Sequence, residues 1–155
     1  MYDVCVVYLV RNSQTASGDR TEVLLGEKLT GLGAGKFVGA GGKLEPGESP
    51  VDAAVREVAE ELGVVVAPAD LESISVITYP FVDRDEWSQR SHGFIARTWI
   101  GEPTASSELD PQWFDIAEIP FDRMWADAAA WLPQALAGEF IELTIPFYAD
   151  GTMVG

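Results

Sequence analysis

One helical segment, residues 48–62, constrains the fold more than any other part of the chain. Its apolar side chains repeat at the helical interval i, i+3, i+4, i+7, which predicts that one side of the helix packs on a core; these residues are Val55, Val58, Ala59 and Leu62. Ser49 suits the N-cap and Pro50 the first turn. Gly63 suits the residue that follows a helix. The sequence therefore predicts a rigid amphipathic helix.

The same helix carries an acidic face. Glu57, Glu60 and Glu61 stand at i, i+3 and i+4, which places them within an arc of about 100°. Such neighbouring carboxylates repel one another, and within the helix only Arg56, four residues before Glu60, offsets this. A divalent cation would explain the crowding, and oxygen ligands suit Mg²⁺ or Mn²⁺. The alternative is an ordinary solvated acidic face.

A glycine-rich stretch precedes the helix. Residues 31–47 contain seven glycines: Gly31, Gly33, Gly35, Gly39, Gly41, Gly42 and Gly47. Such a density indicates unusual backbone angles or a close approach of the backbone to another group. Gly41 and Gly42 are placed to bring backbone atoms near a metal or a phosphate, and Glu48 reaches the same zone. Together with the acidic face, this favours metal-assisted phosphoryl chemistry.

The remaining elements predict an α/β fold. A second helix is expected over residues 127–137, although Pro133 lies within it. Residues 11–19 are expected to form a polar loop. Short apolar or β-rich runs predict strands at residues 4–10, 21–27, 71–82, 92–100 and 140–148. The order β, β, α, β, β, α, β indicates a mixed central β-sheet between helices, an α/β/α sandwich, and residues 1–155 are expected to form a single domain.

Charge and cysteine content limit the partners. Ten Lys and Arg against 25 Asp and Glu give a net charge of −15. A field of this sign argues against nucleic-acid polymers and anionic membranes, whereas a small phosphorylated substrate can still bind through metal ions. The single cysteine, Cys5, excludes an intrachain disulfide. Without an apolar run long enough for a membrane span or a basic leader, a cytoplasmic protein is expected.

Residues 42–64 resemble the Nudix box. A glycine, five residues, a glutamate, seven residues and then Arg-Glu-apolar-x-Glu-Glu-x-Gly-apolar match it at every defined position: Gly42, Glu48, Arg56, Glu57, Val58, Glu60, Glu61, Gly63 and Val64. The resemblance implies a Nudix hydrolase that cleaves nucleoside diphosphates linked to another moiety with Mg²⁺ or Mn²⁺. It further implies catalytic and metal-binding roles for Gly41, Glu57, Glu60 and Glu61, with Arg56 orienting the carboxylates.

A narrower resemblance extends to residues 31–43 and 119–133. These segments look like the MutT-type branch of the family, which hydrolyses oxidised purine nucleoside triphosphates to a nucleoside monophosphate and pyrophosphate. The resemblance implies that Trp125 stacks on the purine and that Asp127 hydrogen-bonds its edge. Trp131 and Lys28 match further pocket residues, and Glu108 matches an additional metal ligand.

Two positions depart from this branch. Val38 stands where the branch carries a base-reading Asn, and Ala128 stands where it carries a second Asp. Loss of such polar partners weakens base discrimination. Two alternatives therefore stay open: hydrolysis of ADP-ribose, a dinucleoside polyphosphate or another nucleoside diphosphate derivative, and nucleotide binding without hydrolysis. The expected partner is a small nucleotide, bound by a monomer or a homodimer.

Several candidate residues also have a structural interpretation. Asp127 suits the N-cap of the second helix, and Lys28 suits a solvated strand end. The only histidine, His92, is expected to be structural, and Cys5 to be a small buried apolar residue. Trp113 and Phe114 are expected to pack in the core.

Overall fold

A computed structural model describes residues 1–16 and 18–155 of the chain. The described residues form eight β-strands and two α-helices: β1 (Tyr2–Thr15), β2 (Gly18–Lys28), β3 (Phe37–Val38), β4 (Ala40–Lys43), α1 (Pro50–Leu62), β5 (Leu71–Tyr79), β6 (Gln89–Ala96), β7 (Leu109–Asp115), α2 (Ala128–Leu136) and β8 (Ile141–Thr144). Short 3₁₀ turns lie at Pro68–Asp70, Asp85–Trp87 and Phe121–Arg123. No helix in these residues is long and apolar enough to cross a membrane.

The strands form one mixed sheet. Its main path runs β3-β2-β1-β6-β5-β8, with β4 paired to β1 and β7 paired to β2. The β1–β6 and β5–β8 pairs are parallel, and the other pairs are antiparallel. Strand β1 changes partner along its length, because residues 4–7 pair with β4 and residues 10–15 pair with β2. The predicted mixed sheet is confirmed.

The alternation of side chains along β1 divides the interior into two cores. Cys5, Val7 and Leu9 face the side covered by α1, whereas Tyr8 and Val10 face the side covered by α2. Each helix therefore packs on its own face of the sheet. This arrangement is the α/β/α sandwich that the sequence predicts.

Helix α1 begins and ends as its sequence indicates. The Ser49 hydroxyl accepts a hydrogen bond from the Asp52 amide at 3.1 Å, and Gly63 adopts a left-handed φ of 71°. Of the predicted apolar stripe, Val58 and Leu62 are fully buried, whereas Val55 is only partly buried and Ala59 is exposed. Ala53 and Ala54 complete the buried side of the helix instead. The caps and this buried side hold the acidic face in a fixed direction.

Other sequence predictions need correction. Residues 11–19 do not form a loop, because β1 and β2 extend through most of this segment; Ser17 lies outside the described residues. Strands β3, β4 and β7 were missed, since glycines weaken the strand signal in β3–β4, and Pro111 weakens it in β7. Pro111 is tolerated because β7 pairs only with β2.

Three predicted strands are also shorter than expected. Residues 71–82 form a strand only as far as Tyr79, and residues 92–100 contribute only to Ala96, with β6 beginning earlier at Gln89. The last strand is limited to Ile141–Thr144.

Replacing Val58 by Ala should destabilise the fold by about 2 kcal/mol, because it opens a cavity beneath α1. Val58 is completely buried, whereas Val65 is mostly exposed and serves as a matched control. We expect thermal denaturation to show a Tm decrease of about 4–8 °C for Val58→Ala. A decrease of similar size in Val65→Ala would contradict the assignment of the core.

Candidate active site

Three carboxylates converge beside helix α1. Ligand oxygens of Glu57, Glu61 and Glu108 lie within 4.8 Å of one another. Glu57 and Glu61 are only 8% and 7% exposed, and Glu108 approaches from the exposed segment before β7. The Glu108 carbonyl accepts a hydrogen bond from the Leu29 amide at 2.9 Å, which ties this segment to the end of β2. The arrangement places three anionic oxygen ligands around one point.

Strand β4 shapes the contact with α1. The Gly41 N–H donates to Glu61 Oε1 at 2.7 Å. A Cβ atom at Gly42 would lie 2.7 Å from Glu57 Oε1, so a side chain there would displace this carboxylate from its observed position. The sequence singled out the carbonyl of Gly41 as a metal ligand; the contact seen here is made by its amide.

Arg56 organises the acidic residues. It donates to both oxygens of Glu48 at 2.9 Å, and its Nη1 lies 2.9 Å from Glu57 Oε1 and 3.3 Å from Glu60 Oε2. Its Nη2 also donates to the Lys43 carbonyl at 3.1 Å. Arg56 thus joins α1 to the preceding loop and fixes one oxygen of Glu57, as the resemblance implies.

Glu48 and Glu60 play different parts from the three converging residues. The hydrogen bonds from Arg56 lower the pKa of Glu48 to about 2, with the Glu45 amide adding to the effect. Glu48 is therefore committed to Arg56. The Glu60 side chain is 57% exposed and lies at the rim. The structure thus brings Glu57 and Glu61 close to Glu108 and leaves Glu60 outside this group.

Burial dominates the electrostatics of the cluster. It raises the pKa of Glu61 to about 7, and Glu57 and Glu108 add to this effect, while the Gly41 amide opposes it. Burial likewise raises the pKa of Glu57. Carboxylates that repel one another in a poorly solvated place are stabilised by a hard cation. The donor set therefore fits Mg²⁺ or Mn²⁺.

A cavity of about 510 Å³ extends from this cluster to an aromatic end. Glu61 and the Gly41–Gly42 backbone line one part of it. All five residues that the resemblance assigns to substrate also line it: Lys28, Val38, Trp125, Asp127 and Trp131. The volume lies within the range of small-ligand sites. Metal-ligating and base-binding candidates therefore share one cavity.

Asp127 is 2% exposed and accepts two short hydrogen bonds. The Tyr79 hydroxyl and the Trp131 Nε1–H both donate to its Oδ2 at 2.7 Å. Asp127 occupies the N-cap position of α2, but its side chain makes no capping hydrogen bond, so the N-cap interpretation of its side chain is wrong. Sequence reasoning missed Tyr79, since nothing local connects it to a residue 48 positions away.

Trp125 is held in place by aromatic neighbours. Phe81 and Phe147 meet it edge to face, with ring centroids 6.3 and 5.5 Å away. The Lys36 ammonium lies 5.3 Å from its ring centroid. A Cβ atom at Gly33 would lie 2.9 Å from its Nε1, so the loop before β3 packs directly on the indole. These neighbours were not predicted.

Lys28 is partly buried at the end of β2 and lines the cavity. Burial lowers its pKa, while Glu61 and Glu108 act in the opposite direction. The second interpretation of Lys28, a solvated strand end, does not describe this environment. Its ammonium is placed to meet an anion that approaches the carboxylate cluster.

Of the residues expected to be structural, only Cys5 also lines the cavity; His92, Trp113 and Phe114 do not. His92 Nε2 is 2.9 Å from Asp3 Oδ1. Cys5 is buried, which raises the pKa of its thiol to about 11. Trp113 and Phe114 pack against the two cores.

Comparison with known proteins gives a family match. Residues 1–135 match the family model described as the NUDIX domain. The chain is 46% identical over 114 residues to an oxidized purine nucleoside triphosphate hydrolase of Danio rerio, and 42% identical over 114 residues to the mouse protein of the same name. Each match covers 74% of this chain and 71% of the relative.

A solved structure shares the fold. The crystal structure of a MutT protein from Bacillus halodurans superposes with a TM-score of 0.78 at 22% identity. The match covers 100% of this chain and 95% of that protein. At this identity the likeness shows a common fold.

Glu61→Gln should stabilise the metal-free protein at alkaline pH. The folded-state pKa of Glu61, about 7, exceeds the ordinary glutamate value of 4.5, so ionisation of Glu61 destabilises the fold as the pH rises between these two values. Glutamine removes this charge and still accepts from Gly41. After a discount for solvent screening we expect a gain of about 1 kcal/mol, a Tm increase of about 3 °C at pH 8 with chelator.

Most of this gain should disappear at pH 5, where folded Glu61 is protonated. Glu60→Gln provides the control, because its exposed side chain should give no comparable gain. A Tm of Glu61→Gln equal to or below that of the wild type at pH 8 would refute the assigned environment.

Proposed function

The chain belongs to the NUDIX family, and on this premise we propose that it hydrolyses purine nucleoside triphosphates, oxidised purines included. The products would be a nucleoside monophosphate and pyrophosphate, and the reaction would require Mg²⁺ or Mn²⁺. Two relatives at 46% and 42% identity are named oxidized purine nucleoside triphosphate hydrolases. Sanitising of the nucleotide pool is the corresponding role.

One observation carries this proposal. A single cavity is lined both by Glu61 of the carboxylate cluster and by Trp125 and Asp127. The cluster suits a cation that binds phosphates, whereas a flat aromatic surface beside a hydrogen-bond acceptor suits a purine. A nucleotide with its phosphates at α1 and its base at α2 satisfies both ends at once.

Different residues of the site would perform different parts of the reaction. Glu57, Glu61 and Glu108 would hold the metal, and Glu60 is available at the rim as a further ligand. Bound Mg²⁺ or Mn²⁺ would neutralise phosphate charge and lower the pKa of an attacking water. Arg56 keeps Glu57 in position, and Lys28 donates to a phosphate oxygen.

The reaction is a displacement at phosphorus. A water oxygen forms a bond to a phosphorus of the triphosphate chain, the P–O bond to the bridging oxygen breaks, and pyrophosphate leaves. A carboxylate of the cluster takes the water proton. Trp125 stacks on the base and Asp127 accepts from its edge, which fixes the position of the phosphates.

We propose that residues 1–155 act as a single domain. The C-terminal segment supports this, because β8 pairs with β5 and Phe147 contacts Trp125 at the cavity. The cavity is lined within one chain, so a monomer suffices and a homodimer would carry two sites. A small nucleotide, rather than a nucleic-acid polymer or a membrane, is the proposed partner, and the cytoplasm supplies both it and Mg²⁺.

Glu57→Gln, Glu61→Gln and Glu108→Gln should each lower kcat by about 10²-fold or more, because each removes an anionic ligand from the cluster. Glu60→Gln should lower it less, since its side chain is exposed. Initial rates of pyrophosphate release from dGTP and 8-oxo-dGTP provide the measurement, and chelation should abolish activity in every variant.

Glu118→Gln, at an exposed position that does not line the cavity, is the matched control and should retain wild-type activity. Circular dichroism should show that the variants fold. Full activity in both Glu57→Gln and Glu61→Gln would exclude the proposed site.

A second candidate function is hydrolysis of ADP-ribose, a dinucleoside polyphosphate or another nucleoside diphosphate derivative. The apolar side chains of Val38 and Ala128 favour it, because both line the cavity and neither hydrogen-bonds a base. A panel of 8-oxo-dGTP, 2-hydroxy-dATP, ordinary triphosphates and ADP-ribose, with product identification, separates the two. We expect a triphosphate to give the highest kcat/KM.

Preference for ADP-ribose over every triphosphate would reject the first function. Tight nucleotide binding with Mg²⁺ and no product would instead indicate a binding module, which would not need three converging carboxylates.

A further inference from the structure

The aromatic end of the cavity contains a carboxylate whose surroundings contrast with those of the metal cluster. Asp127 lies next to neutral donors rather than other carboxylates, and both donors contact the same oxygen, Oδ2, at 2.7 Å. A carboxylate oxygen offers two lone pairs in its plane. Tyr79 and Trp131 therefore saturate Oδ2 and leave Oδ1 for a ligand in the cavity.

The two hydrogen-bond donors also indicate that the Asp127 side chain acts as an ionised carboxylate. An indole N–H can only donate, and the buried Tyr79 hydroxyl donates here as well. Burial and the neighbouring Asp127 raise the pKa of Tyr79 well above its ordinary value, so it remains a phenol. Two donors on one oxygen stabilise an ionised carboxylate, whose remaining oxygen accepts and cannot donate.

Two positions that line the cavity near Asp127 supply no donor side chain. Ala128 follows Asp127 at the start of α2, and Val38 lines the same cavity from β3. The hydroxyl of Tyr79 and the N–H of Trp131 are already used. A hydrogen-bond acceptor of the base placed against Asp127 would therefore face a negative oxygen. None of the four side chains just named could donate a hydrogen bond to that acceptor.

We infer that Tyr79 and Trp131 are positioning residues that hold Asp127 as an acceptor-only group, so that the pocket selects purines with adjacent N–H donors. A 2-amino-6-oxopurine presents an amide N1–H beside its 2-amino group. A 6-aminopurine instead presents a ring-nitrogen lone pair beside its amino group, and that lone pair is repelled by Oδ1. Hypoxanthine, which has N1–H but no 2-amino group, falls between them.

This inference rests on the proposed function for the placement of a purine at Asp127, but it is tested by binding rather than by turnover. Dissociation constants of GMP, IMP and AMP are measured with Mg²⁺ by calorimetry on the full chain. We expect GMP to bind at least about tenfold more tightly than AMP, with IMP between them, as expected for the loss of hydrogen bonds to a charged group. Equal affinities for GMP and AMP would overturn the inference.

Asp127→Asn gives the sharpest variant. Tyr79 and Trp131 would continue to donate to the amide oxygen, which turns the amide N–H₂ toward the base. A donor would then replace an acceptor, and the ratio of GMP to AMP affinity should fall by at least about tenfold. An unchanged ratio would show that Asp127 does not read the base.

Tyr79→Phe tests the positioning role itself. It frees a lone pair on Oδ2 and removes one restraint on the carboxylate, so the GMP to AMP ratio should fall by about threefold. A merely structural role would weaken both ligands alike and leave the ratio unchanged, which would overturn the role of Tyr79. Tyr148→Phe removes the same hydroxyl from an exposed position outside the cavity and is the matched control.

Thermal unfolding of each variant checks the fold, and Asp127→Asn retains the test if Tyr79→Phe does not fold. The experiments distinguish failure of the proposed hydrolytic function from failure of the inference about base selection. Selective binding of GMP without hydrolysis of any triphosphate would reject the proposed function alone. Hydrolysis of triphosphates with equal affinities for GMP and AMP would reject this inference alone.

Discussion

The burial of two carboxylates between α1 and β4 is the constraint on which the site depends. Glu57 and Glu61 are removed from water at a contact so close that a side chain at Gly42 would displace the Glu57 carboxylate. Burying a charge is unfavourable unless it is paired or hydrogen-bonded. Gly41 and Arg56 supply part of that compensation, and the apolar side of α1 supplies the packing that holds the helix there. A bound divalent cation would supply the remaining compensation.

Helical periodicity made α1 predictable, but only part of its acidic face. Helical spacing places Glu57, Glu60 and Glu61 within an arc of about 100°. This spacing does not indicate which of the three a neighbouring strand covers. Strand β4 covers the i, i+4 pair and leaves Glu60 exposed. The strand itself was not predicted, since its glycines carry little β-propensity. Gly41 has no room for a side chain against the Cys5 and Val6 backbone of β1, and Gly42 faces the Glu57 carboxylate. A rule based on one helix cannot contain information about its partner.

Long-range contacts account for most of the other features that the sequence did not predict. Asp127 was identified from a resemblance, but its hydrogen-bond partner Tyr79 was not. Tyr79 lies on β5, in the sheet on which α2 packs. Trp125 contacts Phe81, which follows β5, and Phe147, which follows β8 in the C-terminal segment. Spacing rules describe neighbours on one element, whereas these contacts arise from the packing of several elements. The fold class follows from local patterns, and the base pocket does not.

The two cores separate the chemistry from its specificity. Helix α1 and its core hold Glu57 and Glu61, whereas α2 and the other core hold Asp127 and Trp131. Strand β1 connects them, and its change of partner from β4 to β2 lies beside the shared cavity. Under the proposed function, a substitution at Ala128, which lies in the second core, would change the base edge that the pocket accepts without contacting a carboxylate of the cluster. Because the carboxylates are fixed by backbone contacts and by Arg56, the hydrolytic site is insulated from such changes, and one phosphoryl chemistry can serve different bases.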